Sequence, residues 1–289
     1  MLDKILHLSA FMNASGSEHQ IIDEICRILP DAKRLPDGSA YLLLNLQNKQ
    51  TETIMISTPV DVIGFLALCK DNEIVTLQPT SKIDPKKYAS VDLIGEDGIT
   101  HKSTLDKNKN LSISGNDIRI GDIFRLKAEY RVDSAQLTGP DSSVYSLLLI
   151  LLELAHCSFN KNVILHFAVQ GKTTARSELC AVHRFNPDLC ILLGSKEGEK
   201  NAILVKDGKH VISRNKLESL GVKANDDTYL AVSDDRITKA SDLTSYGFHS
   251  VSIALAVKNA EKNEEAIALP QIHSLYHFIC DLINRCHCS

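Results

Sequence analysis

Between Phe65 and about Asp133 the sequence changes texture, and that change limits the folds open to the chain. Short apolar runs (FLALC, IVTLQ, VDLIG, LSISG and IFRLKA) alternate with turns rich in Gly, Asp, Asn and Lys, and no segment carries a helical face. Runs of that length between turn residues predict a small antiparallel β barrel or sandwich. The alternative is a continuation of a mixed sheet.

The flanking segments read differently. Ile5, Leu6, Leu8 and Phe11 recur at helical spacing, and a second helix follows with Ile21, Ile22, Ile25 and Ile28 or Leu29 on its face, capped by Ser15 or Ser17 and ended by Pro30. Strands are expected at 40–46 and 53–57. Beyond the all-β stretch come a helix at 141–156, a strand at 162–171, a helical stretch after Thr174 and a strand at 188–195. Further strands are expected at 202–205, 228–231 and 251–256, with a last helix at 272–283. Strands alternating with helices predict an α/β layered domain over 1–65 and 134–289, interrupted by a β domain over 66–133.

With 36 acidic and 32 basic residues and no basic stripe, the chain gives no sign of nucleic-acid binding. The apolar run around Leu147–Leu152 is too short to span a bilayer and reads as a buried helix. The amino terminus lacks the order of a signal peptide. Eight cysteines without zinc-ribbon pairs fit free thiols in a reducing, cytoplasmic setting.

Chemistry is sparse. Asp61 follows an apolar strand, where ligands of α/β folds collect, and Asp141 precedes an apolar helix, where a carboxylate meets free amides or a metal. The plainer reading makes Asp61 a turn residue and Asp141 a helix cap. Ser142 and Ser143 lack a nucleophile elbow. His166 lies within a strand, and His156 ends a helix. His273 and His277 are one turn apart, without the intervening Glu of a zinc protease, and read as a solvent face. Asp207–Lys209 and Ser233–Arg236 read as turns, and the terminal Cys286, His287 and Cys288 as a frayed tail.

The order of segments resembles that of the glutamyl and deblocking aminopeptidases with a dinuclear metal centre, the group that includes the self-compartmentalised tetrahedral enzymes. The similarity runs through most of the chain: LSAFMNASGSEHQIIDEI resembles the family's helix entry, PDGSAYLLLNL its early strand, and the β insert lies where the family carries one. The resemblance implies a three-layer zinc-aminopeptidase-like α/β domain with a mixed sheet, plus an inserted small antiparallel β barrel with a role in oligomerisation.

The same resemblance implies a site whose metal motifs are altered. Against the family's aHmDEiG, Pro59 stands at the first metal-binding His, while Asp61 retains the carboxylate that orients it. Against alDdRvG, Asp141 holds the metal-bridging position without its Asp and Arg neighbours. Against vQEEvG, Gly171 replaces the catalytic Glu and Lys172 a metal-binding Glu. Gly194 falls at the next metal carboxylate, and Glu261 near the last His. Glycine cannot take a proton from water, and Lys172 puts an ammonium where a cation would sit.

The expectation is therefore a non-catalytic homologue with no cofactor and no bound metal. Asp61, Asp141, Gln170, Lys172 and Arg176 would line a relic pocket. Its partners would be copies of itself or active paralogues, with no nucleic acid and no membrane. The alternative is a divergent metal-dependent aminopeptidase acting on short peptides through Asp61, Asp141, Glu261 and a histidine from elsewhere.

Overall fold

A computed structural model of the chain describes residues 2–11, 14–45, 52–81, 83–106, 108–127, 129–133, 135–235, 237–260 and 264–285. Two helices open it, α1 (Leu2–Ser9) and α2 (His19–Ile28), followed by β1 (Lys33–Arg34), β2 (Ala40–Leu44) and β3 (Thr53–Pro59). The chain then makes seven strands of a separate sheet: β4 (Gly64–Asp71), β5 (Ile74–Pro79), β6 (Asp92–Gly95), β7 (Thr100–Lys102), β8 (Thr104–Leu105), β9 (Leu111–Ser114) and β10 (Ile123–Leu126).

It returns through β11 (Arg131–Val132), β12 (Gln136–Gly139), α3 (Ser142–Leu154), β13 (Asn162–Ala168), α4 (Arg176–Phe185) and β14 (Leu189–Glu197). Next come β15 (Asn201–Asp207), β16 (His210–Val211), α5 (Arg214–Ser219), β17 (Thr228–Ser233) and α6 (Ala240–Ser245). The chain closes with β18 (Ser250–Val257), β19 (Glu265–Ala268) and α7 (Leu269–Arg285).

The main sheet has the order β1-β2-β13-β3-β14-β18-β15-β16, with β17 on the other side of β15. Its centre is parallel, β13 with β3, β3 with β14 and β14 with β18, while β2 pairs antiparallel with β13 and β15 antiparallel with β18. Parallel strands are covered on both faces, so their sequences are apolar at successive positions rather than at alternate ones. In β3, Ile54 and Ile56 enter the core with α1, α2, α3 and α7, while Met55 faces the opposite layer with Ala181, Val182 and Leu243 of α4 and α6. The result is three layers. Helix α3 is apolar on every side from Leu147 to Leu152, and all its residues but Glu153 are buried.

The seven-stranded sheet curls around its own core of Phe65, Val75, Leu77, Tyr88, Leu93, Ile113 and Phe124, forming a nearly closed antiparallel barrel. The texture of the sequence had this physical cause: short strands that put alternate side chains into a small core and turn on Gly or Asn.

Local expectations needed correction. Neither Ser15 nor Ser17 caps α2; Glu18 stands at that position without a side-chain cap bond, and the Ser15 hydroxyl is used elsewhere. The strand expected to run to Gly171 ends at Ala168, because Gln170 turns the chain with φ 53°. Asp207 ends β15 rather than simply sitting in a turn. Its buried carboxylate accepts hydrogen bonds from the Ile237 and Thr238 amides and the Thr238 and Ser252 hydroxyls.

His166 is wholly buried on the α4 side of the sheet, between the Ser57 hydroxyl at 2.9 Å and the Ser39 hydroxyl at 3.2 Å. Burial pushes its imidazole down to about 4, against a small opposing effect of Asp37. A depressed histidine contributes stability above its unfolded value, and that contribution is lost as pH falls from about 6.5 toward 4. We expect a loss of roughly 3 kcal/mol over that window from this group. Denaturant midpoints of the wild type and His166→Gln from pH 7 to 4.5 check this, the variant showing the shallower decline.

Candidate functional site

The parallel strands deliver their carboxyl ends to one edge of the sheet, where α/β folds bind ligands. After β3 the chain stays beside β13, the Val60 amide donating to the Ala168 carbonyl at 3.0 Å. Asp61 is thereby sealed in. It accepts a hydrogen bond from the Ser15 hydroxyl, and its two oxygens lie 3.2 and 3.1 Å from the Lys172 amide. Burial raises its carboxyl above the usual range, with Ser15 and Lys172 opposing.

Asp141 stands at the N-cap of α3 with φ 50°, but its carboxylate makes no capping bond. It reaches out to the Ile63 amide at 3.2 and 3.1 Å and to the Lys172 ammonium at 2.6 Å. The helix terminus is served instead by Glu265. The register of β12 and β19 pairs Gly139 with Glu265, and the Glu265 carboxylate accepts from the Ser143 amide at 2.9 Å. A carboxylate at that end is favoured by the helix dipole. Burial and Asp141 raise the Glu265 carboxyl, and Lys172 draws it back.

Lys172 is the cation of this group. Burial works against its charge, but Asp141, Glu265 and Asp61 together outweigh burial and hold the ammonium above the usual lysine range. Its carbonyl accepts from the Lys239 ammonium at 3.4 Å. Glu18 anchors the turn before it, accepting from the Gln170 amide at 2.6 Å and the Gly16 amide at 2.9 Å. Burial lifts the Glu18 carboxyl, with the Gln170 amide opposing. Tyr145 is buried nearby, its ring edge-on to Tyr130 at 5.1 Å, and burial pushes its hydroxyl up to about 12. The Tyr130 hydroxyl donates to the Pro140 carbonyl at 2.9 Å.

Asp61, Asp141, Gln170 and Lys172 thus meet through direct bonds or a shared turn. Arg176 is the first residue of α4 and is exposed. Pro59 ends β3 against Gly171, where a Cβ would stand 2.7 Å from Pro59 Cβ. Gly194 packs on Ile237, where a Cβ would stand 2.9 Å from both Cγ2 and the carbonyl oxygen. Glu261 lies outside the described residues. Sequence reasoning missed Glu265, Glu18 and Ser15. Glu18 follows SGS in the helix entry and had a positional signal, whereas Glu265 sits in a polar run and only the strand register brings it in.

Chemically this is a buried ionic network, one ammonium among carboxylates, each carboxylate also held by backbone amides. Among the described residues, no three His, Cys, Asp or Glu side chains group so as to hold a metal ion.

The sheet with a barrel inserted after β3 and a polar cluster at the strand ends defines an aminopeptidase-like fold. The chain matches an aminopeptidase from the archaeon Desulfurococcus kamchatkensis with TM-score 0.84 at 16% identity, over 98% of this chain and 94% of the other. It matches a TET aminopeptidase from a marine-sediment thaumarchaeote with TM-score 0.84 at 13% identity, over 98% and 96%. The TET1 peptidase of Pyrococcus horikoshii, which can assemble into a tetrahedron or a large octahedral shell, matches with TM-score 0.80 at 18% identity, over 98% of each chain. No family model and no curated protein sequence matches. The chain therefore has the fold of the TET aminopeptidases.

Proposed function

We propose that this protein is a non-catalytic relative of the TET metallo-aminopeptidases, kept as a structural or regulatory subunit of an oligomer in the cytoplasm. The observation that carries the reading is the Lys172 ammonium, 2.6 Å from Asp141 within the carboxylate group. A dinuclear centre needs several carboxylates or imidazoles free to face two cations. The residues present do not fit one. Asp141 is committed to a resident ammonium, and Pro59, Gly171 and Gly194 offer no donor side chain where the family resemblance puts ligands or the general base. At Gly171 and Gly194 the neighbouring Pro59 and Ile237 also take the room that a donor would need.

The fold likeness supports an assembling protein, since one solved relative is a dodecamer and another builds a tetrahedron or shell. In this reading 66–133 is an inserted domain that contributes assembly contacts, and Asp61, Asp141, Gln170 and Lys172 are a relic of the pocket. Among the described residues no helix is long and apolar enough to cross a membrane. Light scattering of the purified chain is expected to give a homo-oligomer, and a concentration-independent monomer would remove this part of the reading.

Activity separates this reading from a divergent enzyme. Substrates with amino-terminal glutamyl or leucyl residues should remain uncleaved with zinc or cobalt added. Chelator-sensitive turnover that copurifies with the chain through successive columns would favour the enzyme.

A further inference from the structure

The main sheet ends in β17, which pairs in parallel with β15 and with no other strand among the described residues. Half of the amide and carbonyl groups of such a strand point outward, and natural edges are normally protected by a lysine, a proline, a bulge or a covering segment. Within Thr228–Ser233 there is neither a lysine nor a proline, and the bulge in the β15–β17 pair, between Leu204 and Lys206, lies on β15 rather than on the edge strand. Tyr229 is 40% exposed and Val232 58%, large apolar side chains on a free edge.

The charges sit at the two ends. Asp226 and Asp227 precede the strand, Asp234 and Asp235 follow it, and all four are exposed. Lys206 pairs with Asp234, while the Lys200 ammonium goes to the Asp226 carbonyl rather than to its carboxylate. Asp226, Asp227 and Asp235 have no cationic partner among the described residues. In an antiparallel pair of two β17 strands, Asp226 and Asp227 of one copy would lie against Asp234 and Asp235 of the other, at both ends. Like charges brought opposite each other oppose that pairing.

We propose that the free edge of β17 is a strand-addition site for an extended segment of another protein, apolar at its centre and carrying lysine or arginine at both ends. Thr228 is already bonded to Asn225, through its amide at 2.7 Å and its carbonyl at 2.9 Å, so the open ladder covers 229–233 and is about 16 Å long. Main-chain hydrogen bonds supply the affinity of such a site, and the flanking side chains select the partner. The acidic ends thus act twice: they turn away a second copy and draw in a basic-ended segment. The proposal is independent of the state of the strand-end cluster.

The test uses the full chain and two labelled peptides with a common Val-Thr-Val-Thr-Val centre, one with two lysines at each end and one with two glutamates. Fluorescence anisotropy should show the lysine peptide binding at least about tenfold more tightly than the glutamate peptide, with the preference falling as salt rises. Of the 229–233 amides, those that point away from β15 should exchange fast in the free protein and slowly with the lysine peptide. The Asp234→Lys/Asp235→Lys variant should lose the preference. Because its ends are now complementary, it should also gain a salt-sensitive association step beyond that of the wild type in sedimentation velocity. Equal binding of the two peptides overturns the proposal, as does an unchanged preference in the variant. Protection of the outward-pointing amides of 229–233 in the wild type without peptide overturns it too, since a second copy then covers the edge.

Discussion

Replacing Lys172 with methionine is expected to cost about 3–5 kcal/mol of stability at neutral pH, lowering the melting temperature by about 5–8 °C. The ammonium is bonded to Asp141 at 2.6 Å and is attracted by Glu265 and Asp61, and all three acids are almost fully buried. Methionine keeps the volume but leaves those carboxylates without a cation, and an uncompensated buried charge costs more than the pair ever contributes. A lysine with a raised folded value contributes stability below its ordinary titration range and loses it only as pH rises through the folded value. The contribution is therefore intact at neutral pH. Adding Asp141→Asn to Lys172→Met should recover a large part of the loss, because the two substitutions act on one bond and are not additive. A Lys172→Met protein within about 1 kcal/mol of wild type would mean that the carboxylates are neutral or solvated and that the network is misassigned.

The second large effect is expected at Gly171. Its Cα faces Pro59 so closely that an added Cβ would stand 2.7 Å from Pro59 Cβ and 3.0 Å from Pro59 Cα. The conflict lies with atoms next to or within the backbone, so shrinking the neighbour's side chain cannot relieve it. Gly171→Ala should cost about 1–3 kcal/mol, and Gly171→Glu at least as much, with no gain of peptidase activity. Gly194 is closed by Ile237 in the same way. Combining Pro59→His, Gly171→Glu, Lys172→Glu and Gly194→Asp in one chain should give a destabilised protein that remains inactive. Thermal melts of the single variants and a peptidase assay of the combined one check this. A Gly171→Glu protein as stable as wild type that gains metal-dependent hydrolysis would contradict it.

Both predictions concern features that the sequence disclosed unevenly. The layers were legible because β3 and β13 are apolar at consecutive positions, as strands buried on both faces must be, and because Leu147–Leu152 of α3 is apolar on every side. The barrel was legible from the spacing of its turns. The six-residue helices α5 and α6 were not, being too short for a helical period to stand out.

At the site, Asp61 and Asp141 could be singled out by their place at element ends, and Lys172 by the motif it interrupts. Their mutual contact could not be read, because the bonds from Ser15 to Asp61 and from Lys172 to Asp141 close over long stretches of chain. Glu265 was invisible for a related reason: the β12–β19 register alone carries it to the start of α3. Asp141 also shows how a local rule fails, since it occupies a cap position while a distant carboxylate takes the capping amide.

On the proposed reading, the Lys172 ammonium is the resident cation of the strand-end cluster and leaves no place for a metal centre. Elemental mass spectrometry on protein purified without an affinity tag tests this most directly, before and after dialysis against zinc and cobalt. Less than about 0.1 ion per chain is expected in every sample. One or two ions per chain that survive dialysis into metal-free buffer would contradict it and require ligands among residues assigned to the ionic network or to the surface.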